Sequence, residues 1–118
     1  MIVHRGDVII VDFYPTDPNA RVRPALVVQN NRDNARMQRT IVAQITSNIS
    51  RAREVTQHLV DTTHSDWAAS GLRLPSAVNA ANLATVPRDQ VTHVIGALSA
   101  ATMQRVDACL RAALGLGG

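Results

Sequence analysis

The sequence predicts a mainly β fold, a small barrel or sheet with one helix packed against it. Short runs rich in Val, Ile and Thr recur from the N-terminus to Gly96, and segments rich in Pro, Gly, Asn and Asp separate them. The long helical periodicity comes after Ser99. A chain of 118 residues can form one core but not two, so residues 1–118 are expected to form a single domain.

The first two predicted strands lie on either side of a polar loop. Residues 7–13 form a β-branched run between Gly6 and Pro15, which indicates a buried strand. After the loop over 14–22, residues 24–29 predict a second strand that starts at a proline, a position where strands tolerate one.

A third strand follows a polar segment. Residues 30–38 are polar and turn-forming, and residues 40–46 alternate between two faces. Thr46 is therefore expected at the end of this strand, on its more polar face, where its hydroxyl can be presented to a ligand.

The second half of the chain predicts shorter elements. A short helix is expected from Ser65 through Ala69, and Ser99 can cap an amphipathic helix from Ala100 to about Leu114. The predicted strands in this half are residues 54–60, 77–78, 83–86 and 94–95.

The composition excludes several kinds of chemistry. All 12 basic residues are arginine, so neither Schiff-base chemistry nor a phosphate-loop lysine is available. A single cysteine, Cys109, excludes an intramolecular disulfide and a zinc site built on several thiolates. No segment has the pattern of a signal peptide or a membrane span, so we expect a cytoplasmic protein with no membrane partner.

The net charge of +3 is unevenly distributed. Residues 21–53 carry a balance of +6, whereas residues 1–20 carry −2 and residues 54–118 carry −1. Arginines that interrupt folded strands indicate a basic rim around a sheet, which suits a phosphate-bearing partner. A solvated surface without a partner accounts for the charge equally well, so charge alone leaves both interpretations open.

Four residues of metal-ligating types crowd into one short segment, at His58, Asp61, His64 and Asp66. A metal site needs ligands that converge on one point. This spacing matches no ligand motif, and a strand followed by a loop scatters its side chains. We therefore predict no metal ion and a polar strand end instead.

Arg23 and Thr46-Ser47 form a candidate phosphate site. Arg23 enters the second predicted strand, and Thr46 leaves the third. If these strands are neighbours, a guanidinium and a hydroxyl meet at one end of the sheet and can stabilise a phosphoryl group without a metal ion. On spacing alone, the alternative is a structural arginine and an ordinary strand threonine.

A series of short segments extends along nearly the whole chain. The segments are 5–8 (RGDV), 12–13 (DF) followed by Pro15, 23–30 (RPALVVQN), 41–47 (IVAQITS), 71–72 (GL), 74–78 (LPSAV), 83–86 (LATV), 95–99 (IGALS) and 114–116 (LGL), together with Met103, Val106 and Leu110. Single segments are unspecific, whereas the series in this order is highly specific. The series resembles one protein family, the MazF/PemK/Kid toxin ribonucleases.

The resemblance implies an SH3-like barrel with a C-terminal helix, a homodimer, and a cognate MazE-like antitoxin. It implies cleavage of single-stranded RNA at a short base sequence, without metal or other cofactor, to 2′,3′-cyclic phosphate and 5′-hydroxyl ends. Such cleavage inhibits translation and growth. Arg23 falls on the family's catalytic arginine and Thr46 on its catalytic threonine. Arg23 is expected to neutralise the transition state and Thr46 to hold a phosphate oxygen, because the RNA supplies its own 2′-hydroxyl as the nucleophile.

The resemblance also indicates residues that bind RNA. Three match positions near the family's RNA groove, and His58 among them is also a candidate general base, since histidine titrates near neutral pH. The loop over 14–22 lacks the Gly-Ser-Glu-Gln stretch of many members, and its polar residues can replace that stretch. The candidates are Asp17, Asn19 and Arg21 in this loop, Ser47 beside Thr46, and His58, Ser76 and Asn82 at the groove.

Two other functions are retained as alternatives. CcdB-like toxins have a similar fold and poison DNA gyrase without cutting RNA, although such a toxin has no need of Arg23 paired with Thr46. The altered loop is also compatible with an inactive homologue that only binds RNA. RNA cleavage that survives EDTA and depends on Arg23 distinguishes the ribonuclease from both.

Overall fold

The computed structural model describes residues 2–13 and 22–117. None of the helices in these residues is long and apolar enough to span a membrane. In chain order the elements are β1 (Asp7–Asp12), β2 (Val22–Val27), α1 (Asn31–Arg36), β3 (Arg39–Thr46), β4 (Gln57–Val60), α2 (Trp67–Ser70), β5 (Ser76–Pro87), a 3₁₀ turn (Arg88–Gln90), β6 (Val91–Ala97) and α3 (Ala100–Leu114).

The strands form one sheet in the order β4-β5-β3-β2-β1-β6, and every pairing is antiparallel. Strands β1, β2 and β3 are consecutive in the chain and adjacent in the sheet, and α3 packs on β4 and β5. Within the described ranges, β4 and β6 form the two edges of the sheet. The prediction of a mainly β, barrel-like fold with a C-terminal helix is confirmed.

The central strands are buried on both faces of the sheet. One apolar cluster joins Val8 and Leu26 of the sheet to Met103 and Val106 of α3. Neighbouring residues of the same strands point the opposite way and form a second cluster. Its buried members are Val3, Ile9, Val11, Ala25, Val27, Val42, Val86 and Val91.

The segment predicted to form polar turns, residues 30–38, contains helix α1. Asn30 caps this helix, because its side-chain oxygen accepts a hydrogen bond from the Asp33 N–H at 2.9 Å. The buried contact of the helix is also polar, since Asn34 accepts a hydrogen bond from the Gln29 side chain at 3.0 Å. The helix has no apolar face, so hydrophobic periodicity could not reveal it.

The two short strands predicted after residue 76 are parts of one strand, β5. Asn79 lies opposite Gln44 of β3, and Leu83 lies opposite the preceding residue, Ala43. Residues 80–82 therefore stand outside the β3 ladder and form a bulge.

The other elements occur as predicted, with shifted ends. β2 begins at Val22, so that Pro24 is its third residue rather than its first. β4 begins at Gln57, because turns occupy residues 51–56, and α2 is capped at Asp66 rather than Ser65. β6 is longer than predicted because it pairs along β1.

Pro24 ends the ladder between β2 and β3. The Val28 N–H donates to the Ile41 carbonyl of β3 at 2.9 Å, and alternate residues of a strand direct their N–H groups toward the same neighbour. Position 24 therefore faces β3, where a proline has no N–H to donate. The ladder accordingly stops at the pair Ala25 and Gln44.

Two glycines bring α2 against β6. Gly71 follows α2 with a φ of 72°, and a Cβ at this position would lie 2.1 Å from the Ile95 carbonyl oxygen. A Cβ at Gly96 would lie 2.2 Å from the Ala69 carbonyl oxygen. There is therefore no room for a side chain at either glycine. The close contact fixes the end of α2 and so the point at which the segment over 72–76 begins.

Hydrogen bonds fasten the turn before α2 to both β4 and α3. Asp66 accepts hydrogen bonds from the N–H and the hydroxyl of Ser99, at 2.8 and 2.9 Å. The Asp66 N–H donates to Nδ1 of His64 at 2.9 Å, so the neutral His64 ring carries its proton on Nε2. That nitrogen lies 3.0 Å from Nε2 of His58 on β4 and donates to it.

Gly96→Ala is expected to lower the free energy of unfolding by about 1–3 kcal/mol, because the added methyl group would overlap backbone atoms that cannot rotate away. Urea denaturation measures the change. Gly117→Ala is the matched control, since a Cβ there would meet nothing within 4 Å. Equal stability of the two variants would contradict the close contact between α2 and β6.

The stability of the protein is expected to decrease as the pH falls below the ordinary histidine value of 6.5. Burial lowers the pKa of His58, and His64 and Arg105 lower it further, while Asp66 raises it. The unfolded chain therefore binds a proton at a higher pH than the folded chain does, so acid favours unfolding in this interval.

Thermal denaturation of wild type and His58→Gln as a function of pH tests this expectation. The variant lacks the titrating ring, so its profile should be flatter below pH 6.5. Parallel profiles for the two proteins would show that His58 does not carry the dependence.

Candidate active site

A cleft of about 600 Å³ opens at the end of the sheet where the β2–β3 ladder stops. Apolar side chains of β1, β3 and β6, including Ile10, Ile45 and Ile95, form part of its wall. The described lining contains no carboxylate. Its charged and polar side chains are Arg23, Gln44, Thr46, Ser47, Arg73 and Ser76.

Arg23 and Thr46 both line this cleft. Arg23 lies on β2 two residues before Ala25, and Thr46 lies on β3 two residues after its partner Gln44. Both residues therefore lie just beyond the last β2–β3 pair, Ala25 and Gln44, at the same end of the sheet. Arg23 is exposed and Thr46 is half-buried. Strands β2 and β3 are neighbours in the sheet, so the condition under which Arg23 and Thr46 meet at one end of it is fulfilled.

The hydroxyl groups of the cleft differ in what they can donate. Thr46 Oγ1 accepts a hydrogen bond from the Asn48 N–H at 3.1 Å, and no described acceptor takes its own proton. Ser76 is buried and donates to the Leu74 carbonyl at 2.7 Å, so its oxygen can only accept from a ligand. Ser47 is exposed at the rim. The Thr46 hydroxyl is thus free to donate a hydrogen bond to an anion in the cleft.

Arg73 is a cleft residue that the sequence analysis did not single out. It is exposed and lies in the segment whose start is fixed by the contact of Gly71 with β6. A second guanidinium makes the cleft strongly cationic, because the described lining offers no acid to balance it. The sequence did carry a signal, since Arg73 stands between two segments that resemble the toxin ribonucleases.

Asn82 reaches the cleft through another side chain. It is exposed on the β5 bulge, and its Nδ2 donates to Oε1 of Gln44 at 2.5 Å. Gln44 is half-buried and lines the cleft directly. Asn82 therefore lies at the edge of the site rather than within it.

His58 is not among the residues that line the cleft. Its Nε2 accepts a hydrogen bond from Nε2 of His64. The protonation of the His64 ring also limits how this pair could bind a metal ion. Because His64 Nδ1 accepts from a backbone N–H, a metal ion at its Nε2 would require a doubly deprotonated ring. In the ranges that the structure covers, no group of three or more His, Cys, Asp or Glu could hold a metal ion.

Three candidate RNA-binding residues of the loop over 14–22, Asp17, Asn19 and Arg21, lie outside the described residues.

Comparison with known proteins identifies relatives along nearly the whole chain. A family model for the PemK-like, MazF-like toxin of type II toxin–antitoxin systems matches residues 4–114. Endoribonuclease EndoA of Bacillus subtilis (strain 168) is 32% identical over 118 residues, which cover 98% of this chain and 97% of that protein. A probable endoribonuclease MazF of Mycolicibacterium smegmatis is 31% identical over 96 residues, 81% of this chain and 83% of that one.

A solved structure supports the same relationship. An endoribonuclease in complex with its cognate antitoxin, from a mycobacterial species, superposes with a TM-score of 0.78 at 25% identity and covers 98% of each chain. The family model covers most of the chain and a curated relative matches it from end to end, so the chain belongs to the PemK-like, MazF-like toxin family of type II toxin–antitoxin systems.

Proposed function

We propose that this protein is a sequence-specific endoribonuclease toxin that cleaves single-stranded RNA without a metal ion. The observation that carries the proposal is the meeting of Arg23 and Thr46 in one cationic cleft. Family membership supports it, because both relatives compared above are named as endoribonucleases. Guanidinium groups also suit an RNA substrate, since they bind phosphate through two parallel hydrogen bonds.

The cleavage uses a nucleophile that the RNA itself provides. The 2′-oxygen bonds to phosphorus as its proton leaves, and the P–O5′ bond breaks as the departing 5′-oxygen gains a proton. The products are a 2′,3′-cyclic phosphate and a 5′-hydroxyl. Arg23 stabilises the extra negative charge on the non-bridging oxygens, and the Thr46 hydroxyl donates to one of them. The protein thus needs a precise anion site rather than a nucleophile of its own.

The remaining polar residues of the cleft are assigned to RNA binding. Arg73 and Ser47 are exposed at the cleft, and Ser76 offers an acceptor oxygen within it. Asn82 acts at the edge through Gln44. The role of His58 in binding RNA rests on the family resemblance. Asp17, Asn19 and Arg21 are assigned to RNA binding as the polar residues of the loop that replaces the family's Gly-Ser-Glu-Gln stretch.

The same cleft explains how such an activity would be blocked. A site with two arginines and no described carboxylate attracts an acidic segment. We propose a homodimer in the cytoplasm whose clefts are covered by such a segment of a MazE-like antitoxin. The complex of a structural relative with its cognate antitoxin supports this partner.

Removal of either catalytic group is expected to lower RNA cleavage in EDTA by about 10²–10³-fold, as loss of one anion-stabilising donor does in other enzymes. The variants are Arg23→Ala and Thr46→Val, and gel analysis of a diverse RNA pool gives the rates. Thr46→Ser retains the hydroxyl and should retain most of the activity. Arg32→Ala is the control for loss of charge, because Arg32 is an exposed arginine of α1.

Measurements of gyrase inhibition and of RNA binding, made beside the cleavage assay, separate the competing functions. Inhibition of gyrase without RNA cleavage would favour a CcdB-like toxin. RNA binding without cleavage would favour an inactive homologue.

Arg73→Ala is expected to weaken RNA binding and to reduce the salt dependence of binding. Loss of one phosphate contact lowers the slope of log affinity against log salt concentration by about 0.7 for a single strand. Fluorescence anisotropy with a labelled RNA between low and moderate salt measures the slope. An unchanged slope, equal to that of Arg32→Ala, would show that Arg73 contacts no phosphate.

A further inference from the structure

A pair of carboxamides that the catalytic step does not use lies at the cleft, one in its lining and one at its edge. Gln44 lines the cleft, and its Oε1 accepts a hydrogen bond from Asn82 Nδ2. The two residues come together because the β5 bulge places Asn82 beside Gln44 of β3 although the ladder pairs Gln44 with Asn79. The hydrogen bond that results turns Oε1 of the Gln44 amide toward Asn82.

This pair keeps unused hydrogen-bonding groups at the cleft. Once Gln44 Oε1 has accepted from Asn82, both N–H groups of Gln44 Nε2 remain as donors and Asn82 Oδ1 remains as an acceptor. No other residue in the described ranges engages either atom. A donor next to an acceptor is the pattern with which amide side chains recognise base edges.

The position of Gln44 relative to Thr46 suggests which part of the substrate it meets. The two residues are two positions apart on β3, so their side chains point to the same face, about 7 Å apart along the strand. With a phosphate held at Thr46, a base of an adjoining nucleotide comes within reach of Gln44. Single-stranded RNA presents its base edges for such contacts.

We propose that Gln44 is a specificity-determining residue that contacts a base adjoining the cleaved phosphate, and that Asn82 is a positioning residue that orients it. This inference rests on the proposed function, since it assigns a role within the same cleft. The donors of Gln44 select a base that offers an acceptor at this position. The hydrogen bond from Asn82 keeps those donors directed to the RNA.

Two substitutions test the inference through base preference rather than rate. Gln44→Glu keeps the acceptor for Asn82 but removes both donors, so preference at one position next to the cut should change by about tenfold. Asn82→Asp removes the donor to Gln44 and provides an acceptor, so the Gln44 amide should rotate to donate to it. The variant should then shift preference at the same position.

Sequencing the cut ends of a diverse RNA pool gives the preference at every position. Gln38→Glu is the matched control, because it makes the same charge change at an exposed residue just before β3, at the other end of that strand. It should cut with the wild-type preference. Thermal denaturation verifies that each variant is folded. If Gln44→Glu does not fold, Asn82→Asp still tests the role of the pair in base preference, because Asn82 is exposed.

The outcomes separate this inference from the function on which it rests. If wild type cuts the pool but both variants retain its base preference at every position, the role of Gln44 is wrong and the ribonuclease remains. If folded wild type cuts no RNA, the proposed function is wrong and this role fails with it. A change in base preference at the same single position in both variants would establish that Gln44 and Asn82 determine specificity for that base.

Discussion

The structure depends on burial of the central strands from both sides. Residues of β1, β2 and β3 point alternately into two apolar clusters, so a shift of register by one residue would exchange the two sets. The two clusters are not interchangeable, because one of them includes side chains of α3 and the other does not. The strands are therefore held in one register, and the groups at their ends are held with them. That rigidity fixes the positions of the exposed residues that line the cleft.

The cleft is built where regular structure is interrupted. Pro24 has no N–H to extend the β2–β3 ladder, and the ladder stops two residues short of Arg23 and Thr46. The β5 bulge adds Asn82 to the edge of the site, and the contact of Gly71 with β6 directs Arg73 toward it. Each interruption costs hydrogen bonds or side-chain contacts that a regular sheet would have.

In the proposed cleavage, the RNA substrate supplies its own 2′-hydroxyl as the nucleophile. The protein is then left to contribute positive charge and hydrogen-bond donors rather than a nucleophile. Guanidinium groups remain charged at any relevant pH, which suits this task. His58 and His64 lie outside the described cleft lining, and their hydrogen bond links β4 to the turn that precedes α2.

The sequence alone determined the elements whose signal is local. β-branched runs predicted the strands, Ser99 predicted the start of α3, and the order of short segments indicated the family and the pair Arg23 and Thr46. Helix α1 and the single bent strand β5 escaped prediction, because buried hydrogen bonds and a bulge leave no hydrophobic periodicity. Arg73 and Gln44 became cleft residues only in three dimensions. Their places depend on close backbone contact and on strand register, and both are contacts between residues far apart in the chain.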